Sequence, residues 1–349
     1  MDEQQLKDVL AEARLPFTDG RFHLCELEIV PVGGHHRLMG RVLDTSTLVE
    51  VLAHLRRRLP QARWDSDGVS ILRQDKPRLL AVRTNLTGFQ REPSWLSEQQ
   101  SQLLAGSIVE FLADDGRWSF VRLEDGYLGW VYTQYLAEPE PEFAPTHQVA
   151  APFTMVYREP SYLAPVITRI FAGTRLSSGE LENGWSRVHG PFGSGFADPM
   201  DLRSLSDRSP VSVRRRQLAH HDAMAYIGVP YQWGGCSVHG IDCSGFSQLM
   251  HKLAGVAIPR DADVQFAAGQ PVEPPFEPGD LFYFGGSGDH RDISHVGISL
   301  GVDAGAGGWM MIHSSRSRNG VYIEDMEADD WLREGFQGAR RFLHDGNHS

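Results

Sequence analysis

A cysteine stands at position 243, between Asp242 and the run Ser244-Gly245-Phe246, after a glycine-rich approach through Gly234, Gly235 and Gly240. Beyond it, apolar residues fall at Phe246, Leu249, Met250 and Leu253, the spacing of one helix face, and Gly255 supplies a stop. The thiol therefore belongs in the first turn of a helix, where unpaired N–H groups and the helix dipole favour an anion. Such placement can lower a thiol pKa from about 8.5 into roughly the 3.5–7.5 range, so a thiolate is expected at neutral pH. Most cysteines are simply buried, but the flanking glycines and polar neighbours here argue for access. A thiol nucleophile needs a base, and a third polar group to hold that base in the right tautomer. His295 opens a strand immediately after a loop, and His313 lies eighteen residues on, near the end of the adjacent strand. A hairpin closed by the glycine-rich stretch 301–308 would set the two imidazoles side by side. Among fifteen histidines, His239, His251 and His290 are read as packing or surface residues.

The elements that must position these groups follow from pattern. From residue 214 onward the chain reads helix, glycine loop, helix, then strands entered at 279–284, 295–300, 309–313 and 320–323, an α+β layout. Residues 1–77 read as a small α+β unit, with strands at 22–30, 36–43 and 69–72. A helix is predicted at 46–59, where Leu48, Leu52 and Leu55 form one stripe before Pro60. No catalytic constellation occurs there, so a packing or lid role is expected.

Between them lies a repeat. Arg91-Glu92-Pro93-Ser94 recurs as Arg158-Glu159-Pro160-Ser161, and the same offset of 67 carries Gly106 to Gly173, Trp118 to Trp185, Val121 to Val188 and Gly126 to Gly193. Residues 78–137 and 145–204 are therefore predicted to be duplicated small β-barrels, joined by the stiff linker Glu138-Pro139-Glu140-Pro141-Glu142. The strand pair 116–121 and 126–131 resembles that of bacterial SH3-like domains. The copies differ where Tyr127 becomes Ser194 and Trp130 becomes Ala197. A tyrosine retained in one copy alone suggests a pocket rather than a structural need.

Composition narrows the classes. The chain has 349 residues, enough for two to four domains, and a net charge of −12, which argues against nucleic acid or an anionic membrane as main partner. No apolar run of about 18 residues is present, and the N-terminus lacks a secretory signal pattern, so a cytoplasmic location without membrane attachment is expected. Three cysteines, Cys25, Cys236 and Cys243, make no disulfide framework. Cys236, His239 and Cys243 are metal-ligand types, but their spacing lacks a second pair, so neither a metal nor any other cofactor is expected.

The blocks Tyr231-Gln232-Trp233-Gly234-Gly235, Asp242-Cys243-Ser244-Gly245-Phe246, Ile258-Pro259-Arg260-Asp261, Gly279-Asp280-Leu281, Ile293-Ser294-His295-Val296-Gly297-Ile298 and Met311-Ile312-His313-Ser314 resemble, in order, the NlpC-type papain-like cysteine peptidases. The resemblance covers about 214–345 and implies a circularly permuted papain-like α+β domain. It implies Cys243 as nucleophile, His295 as general base and acid, and His313 as orienting residue. With two SH3-like domains ahead of it, the whole looks like the murein-peptide recycling type, γ-D-glutamyl-L-diamino acid endopeptidases. In that type the first SH3-like domain borders the active site and recognises a free N-terminal L-alanine. The implied substrate-binding residues are Asp242, Ser244, Tyr127 and Glu92, with Arg260, Asp261 and Trp233 lining the cleft; charge-assisted bonds make a carboxylate a sensible ammonium acceptor. Where the family often shows a serine after Arg260-Asp261, this chain has Ala262, which puts a hydroxyl contact there in doubt. The Cys243 N–H and the Tyr231 hydroxyl are expected to hold the oxyanion. The expected partner is a free murein stem peptide. The alternatives are an acyltransferase on the same fold, a hydrolase of intact wall, and a wall-peptide-binding protein without activity.

Overall fold

The computed structural model describes residues 3–141, 143–206, 212–286, 289–302, 308–327 and 329–343. Glu142 of the linker and residues 303–307 of the glycine-rich stretch lie outside the described residues. The chain divides into two compact units. The first comprises Met1–Leu80, Arg91–Ser97 and Ile108–Gln134; the second comprises Ala81–Gln90, Glu98–Ser107 and Tyr135–Ser349.

The first unit opens with helix α1 (Glu3–Arg14), strands β1 (Cys25–Val32) and β2 (His35–Val42), helix α2 (Thr45–Arg58) and strand β3 (Trp64–Ile71). β1 and β2 pair antiparallel, whereas β2 and β3 pair parallel, so α2 is the crossover between parallel neighbours. Asp44 caps α2 by accepting from the Thr47 N–H. Both helices bury their apolar stripes against Leu27, Leu38 and Val42. Helix α1 goes beyond the sequence expectation, although Leu6, Val9, Leu10 and Ala13 carry its periodicity.

Along the chain follow β4 (Arg78–Val82), β5 (Leu86–Gln90), β6 (Gln99–Leu104), β7 (Ile108–Asp115), β8 (Trp118–Arg122), β9 (Leu128–Tyr132) and β10 (Leu136–Ala137). The β7-β8-β9 meander belongs to the first unit, and Leu112, Phe120 and Leu128 pack there with Leu43 and Leu72. Glu110, nearly buried, pairs with Arg73 at 3.1 Å and Arg122 at 3.5 Å in the same seam. The β5-β6 hairpin belongs to the second unit.

The second unit continues with β11 (His147–Val149), β12 (Phe153–Tyr157), β13 (Val166–Phe171), β14 (Arg175–Glu182), β15 (Trp185–Gly190), β16 (Gly193–Ala197) and β17 (Leu202–Ser204). They form one sheet in the order β13-β12-β16-β15-β14-β11-β17 around Val149, Val156, Ile170, Leu176 and Val188. Strands β5, β6, β7 and β8 begin 67 residues before β12, β13, β14 and β15, the same offset as the sequence repeat.

The remainder carries α3 (Ser212–Met224), the two-residue strands β18 (Cys236–Ser237) and β19 (Gly240–Ile241), α4 (Cys243–Leu253), α5 (Ala262–Ala268), β20 (Gln270–Val272), β21 (Leu281–Gly285), β22 (Ile293–Val302), β23 (Trp309–Ser315), β24 (Gly320–Asp325), α6 (Asp330–Gly335) and β25 (Phe336–Arg341). Six strands make an antiparallel sheet in the order β20-β25-β21-β22-β23-β24. Sequence pattern gives four of them. β25 carries no apolar alternation in Phe-Gln-Gly-Ala-Arg-Arg, yet it inserts between β20 and β21.

Helix α4 lies on β22 and β23, burying Phe246, Leu249, Met250 and Leu253 against Val296, Ile298 and Ile312. Its C-terminal end is held by the β11–β17 sheet: Gln148 Nε2 donates to the Leu253 carbonyl at 3.0 Å, and so does Arg203 at 3.0 Å. Because Phe246 is the largest core side chain of α4, Phe246→Ala is expected to cost about 3–5 kcal/mol. Denaturant unfolding followed by tryptophan fluorescence measures this; a change below about 1 kcal/mol would show that α4 does not depend on that contact.

Candidate active site

Helix α4 begins at Cys243 because Asp242 caps it. The cap residue is extended, with φ −92° and ψ 177°, and its Oδ1 accepts from the Gly245 N–H at 2.7 Å. The other oxygen, Oδ2, accepts from the Gly234 N–H at 2.8 Å. Arg260 closes the arrangement as a fork, with Nη1 donating to Oδ1 at 3.0 Å and Nη2 to Oδ2 at 2.6 Å. Arg260 Nη1 also donates to Ser244 Oγ at 2.9 Å, and its Nε donates to Ser101 Oγ of β6 at 3.0 Å. All four side chains are buried.

Asp242 and Ser244 are both bonded within the protein. An ionised carboxylate offers about four acceptor positions, and two backbone N–H groups and both Arg260 nitrogens already occupy them. Asp242, Ser244 and Arg260 form an internal tie that fixes the start of α4.

Gly234 shows how tightly the preceding loop is drawn in. Its φ is +71°, and a Cβ there would lie 2.2 Å from the Gln99 carbonyl oxygen. Trp233 beside it is 58% exposed, so its ring faces solvent. Its indole Nε1 donates to Glu98 at 2.9 Å, and its carbonyl accepts from Gln99 Nε2 at 3.3 Å.

His295 and His313 are brought together by the β22-β23 pairing. His295 Nε2 and His313 Nδ1 lie 2.6 Å apart, with ring centroids 4.9 Å apart. Phe284 and Trp331 flank the His295 ring at 5.8 and 5.9 Å. Ser314 Oγ donates to the Ile241 carbonyl at 2.6 Å, tying the strand of His313 to the segment that delivers Cys243. The Cys243 sulfur sits by the N–H of Val296, the residue after His295. His295 Nδ1 makes no hydrogen bond among the described residues, to the Cys243 sulfur or to any other atom.

Both charge-forming groups are held neutral. Burial pushes the Cys243 thiol up to about 12, and the Asp242 carboxylate adds to the rise; the N–H groups of Val296 and Ser244 and the Arg260 charge oppose it. Burial alone lowers His295 to about 4. His313 falls to about 2 through burial and then the neighbouring His295 and Arg318 charges. The standing thiolate expected from sequence is therefore corrected to a thiol beside a neutral imidazole. The first-turn N–H of Ser244 still favours the anion, but burial outweighs it.

Tyr231 is half-buried, bridges Ile241 through its backbone, and has its hydroxyl pKa raised by burial and then by the Cys243 and Asp242 charges. It remains an O–H donor at any ordinary pH. Asp261 is the cap residue of α5 and acts on Arg260 through its charge. Ala262 follows as the first residue of α5 and is buried. Tyr127 and Glu92 fall in the first unit: Tyr127 is buried with its ring edge-on to Phe22 at 5.5 Å, and Glu92 is exposed in a turn whose N–H donates to Ser97 Oγ at 2.9 Å. His239 packs against Phe171, and His251 is buried with Nδ1 at the Ser247 carbonyl. All three cysteines are free. Sequence inspection missed Glu324, whose Oε2 lies 3.2 Å from His313 Nε2. Its signal is register: β24 sets Tyr322 opposite His313, and Glu324 lies two residues on, on the same face.

Comparison with known proteins adds an independent line. Residues 228–340 match the NlpC/P60 family, and residues 91–136 match the bacterial dipeptidyl-peptidase SH3 domain. A γ-D-glutamyl-L-lysine dipeptidyl-peptidase of Bacillus subtilis is 30% identical over 246 residues, 64% of this chain and 75% of that protein. One of the same name from Bacillus cereus is 28% identical over 271 residues, 72% of this chain and 78% of that protein. Among solved structures, an NlpC/P60 family protein from Bacillus cereus superposes with a TM-score of 0.64 at 24% identity, covering 76% of this chain and all of that one, and so shares the fold. Cys243, His295 and His313 all lie inside the matched C-terminal segment, and the chain belongs to the NlpC/P60 family of cell-wall hydrolases, with a bacterial SH3 domain preceding that segment.

Proposed function

We propose that the chain is a cysteine peptidase that cleaves the γ-D-glutamyl bond to a diamino acid in free murein stem peptides. The observation that carries the proposal is the buried His295–His313 contact, on a strand whose Val296 N–H meets the sulfur at the capped start of α4. The names of the two Bacillus relatives support the substrate class. The SH3 match, together with the strands that recur at an offset of 67, supports two SH3-like domains at 78–137 and 145–204, ahead of a catalytic domain at 214–345 and behind a small domain at 1–77.

In this mechanism the thiol and imidazole start uncharged. As the Cys243 sulfur attacks the γ-carbonyl carbon, its proton passes to His295 Nδ1, and the C=O pair becomes an oxyanion. The Cys243 N–H and the Tyr231 O–H donate to that oxygen. Collapse breaks the C–N bond, and His295 returns the proton to the departing amine. Water, deprotonated by His295, then attacks the thioester and releases the glutamyl product and the free thiol. The interior around the site favours neutral groups, so charge forms only while substrate is in place.

Two experiments test this. L-Ala-γ-D-Glu-diaminopimelate is expected to yield L-Ala-D-Glu, and the same peptide acylated at its amino end to turn over at least about tenfold more slowly, one bond to a charged group being worth that much or more. Cys243→Ala is expected to abolish turnover; full activity in that variant would falsify the mechanism. The second concerns charge at rest. With the thiol raised to about 12 and His295 lowered to about 4, the free protein at pH 7 is expected to show no ultraviolet thiolate absorbance relative to Cys243→Ala. Below its folded value His295 is protonated and cannot accept, so single-turnover acylation after a rapid pH jump should fail only well below 6.5. A thiolate band at neutral pH, or an acid limb at or above 6.5, would overturn the neutral pair.

A further inference from the structure

The His295–His313 contact leaves open which nitrogen of each ring carries the proton, and the chemistry depends on that choice. Burial keeps both rings neutral, so each has one N–H and one bare nitrogen. Glu324 decides between the alternatives. Its side chain is 9% exposed, with Oε2 at 3.2 Å from His313 Nε2 and Oε1 at 2.7 Å from Arg318 Nη2. Arg318 in turn lies over the Tyr322 ring at 4.6 Å, and Tyr322 neighbours Glu324 on β24. A carboxylate paired to a guanidinium can only accept, so His313 Nε2 must hold the proton and donate. His313 Nδ1 is then bare, and His295 must donate to it from Nε2. His295 Nδ1, the nitrogen without a hydrogen bond among the described residues, is then bare and able to take a proton. Reversing the chain would place an N–H on His295 Nδ1, and that ring could take no proton from sulfur.

We propose that Glu324 is a positioning residue that sets the tautomer of both imidazoles, so that the proton-accepting nitrogen of His295 faces Cys243. The inference rests on the cysteine-peptidase assignment and extends it by one group. Arg318, 60% exposed, anchors the outer end of the relay and offsets the charge of Glu324.

Long-range proton–nitrogen NMR of histidine-labelled protein reads the tautomers directly. His295 and His313 are both expected as Nε2–H in the wild-type chain. In Glu324→Leu, His313 is expected to populate the Nδ1–H form, and kcat to fall at least about tenfold with KM nearly unchanged. Glu324→Gln, which keeps an acceptor oxygen, should recover most of that loss. A wild-type His295 carrying its proton on Nδ1 would overturn the proposal without any variant, as would a folded Glu324→Leu with wild-type kcat. The two levels separate cleanly: an active Cys243→Ala strikes the nucleophile itself, whereas an inactive Cys243→Ala with a fully active Glu324→Leu strikes only the role of Glu324.

Discussion

One buried carboxylate organises the second unit. Asp242 takes a proton donor from the glycine loop at Gly234, one from the first turn of α4 at Gly245, and two from Arg260. The glycine loop, the first turn of α4 and the segment before α5 are thereby fixed to one point, and the sulfur of the next residue inherits that position. A buried ion pair is a poor source of net stability, because desolvation offsets most of the attraction. Its value here is geometric, since removing either partner leaves an uncompensated charge in the interior. Burial is the larger reason that the thiol is held un-ionised, and the neighbouring Asp242 charge adds to it.

The duplicated β segments grip the two ends of the same helix. Ser101 of β6 reaches its start through Arg260, while Gln148 of β11 and Arg203 of β17 bind the carbonyl of Leu253 at its finish. Segments that read from sequence as separate binding modules are thus wired to the element that carries the cysteine. A change in either would reach the sulfur through one rigid rod about 16 Å long, at 1.5 Å per residue over its 11 residues.

What the sequence discloses depends on whether the signal is local. The start of α4, its apolar face and the strands that carry His295 and His313 follow from spacing, although β22 begins two residues earlier than expected, at Ile293, so that His295 lies inside the strand rather than opening it. The repeat is legible because both copies keep their turns in register. Long-range partners are not legible in that way. That Arg260 holds Asp242, that Ser314 binds the Ile241 carbonyl and that Glu324 stands behind His313 all depend on strand register and loop path, which no local pattern encodes. The charge state of Cys243 failed for a related reason. A helix N-terminus is a local feature, but the burial that outweighs it comes from the whole fold.

Gly245 carries the last consequence. A side-chain carbon at this position would come within 2.3 Å of the Gly235 carbonyl oxygen, so the opening turn rests backbone against backbone on the loop beneath it. With nothing compressible in between, the sulfur's location is a matter of covalent geometry and a single torsion. Any residue larger than glycine there would force the opening turn, and the sulfur it carries, away from that loop.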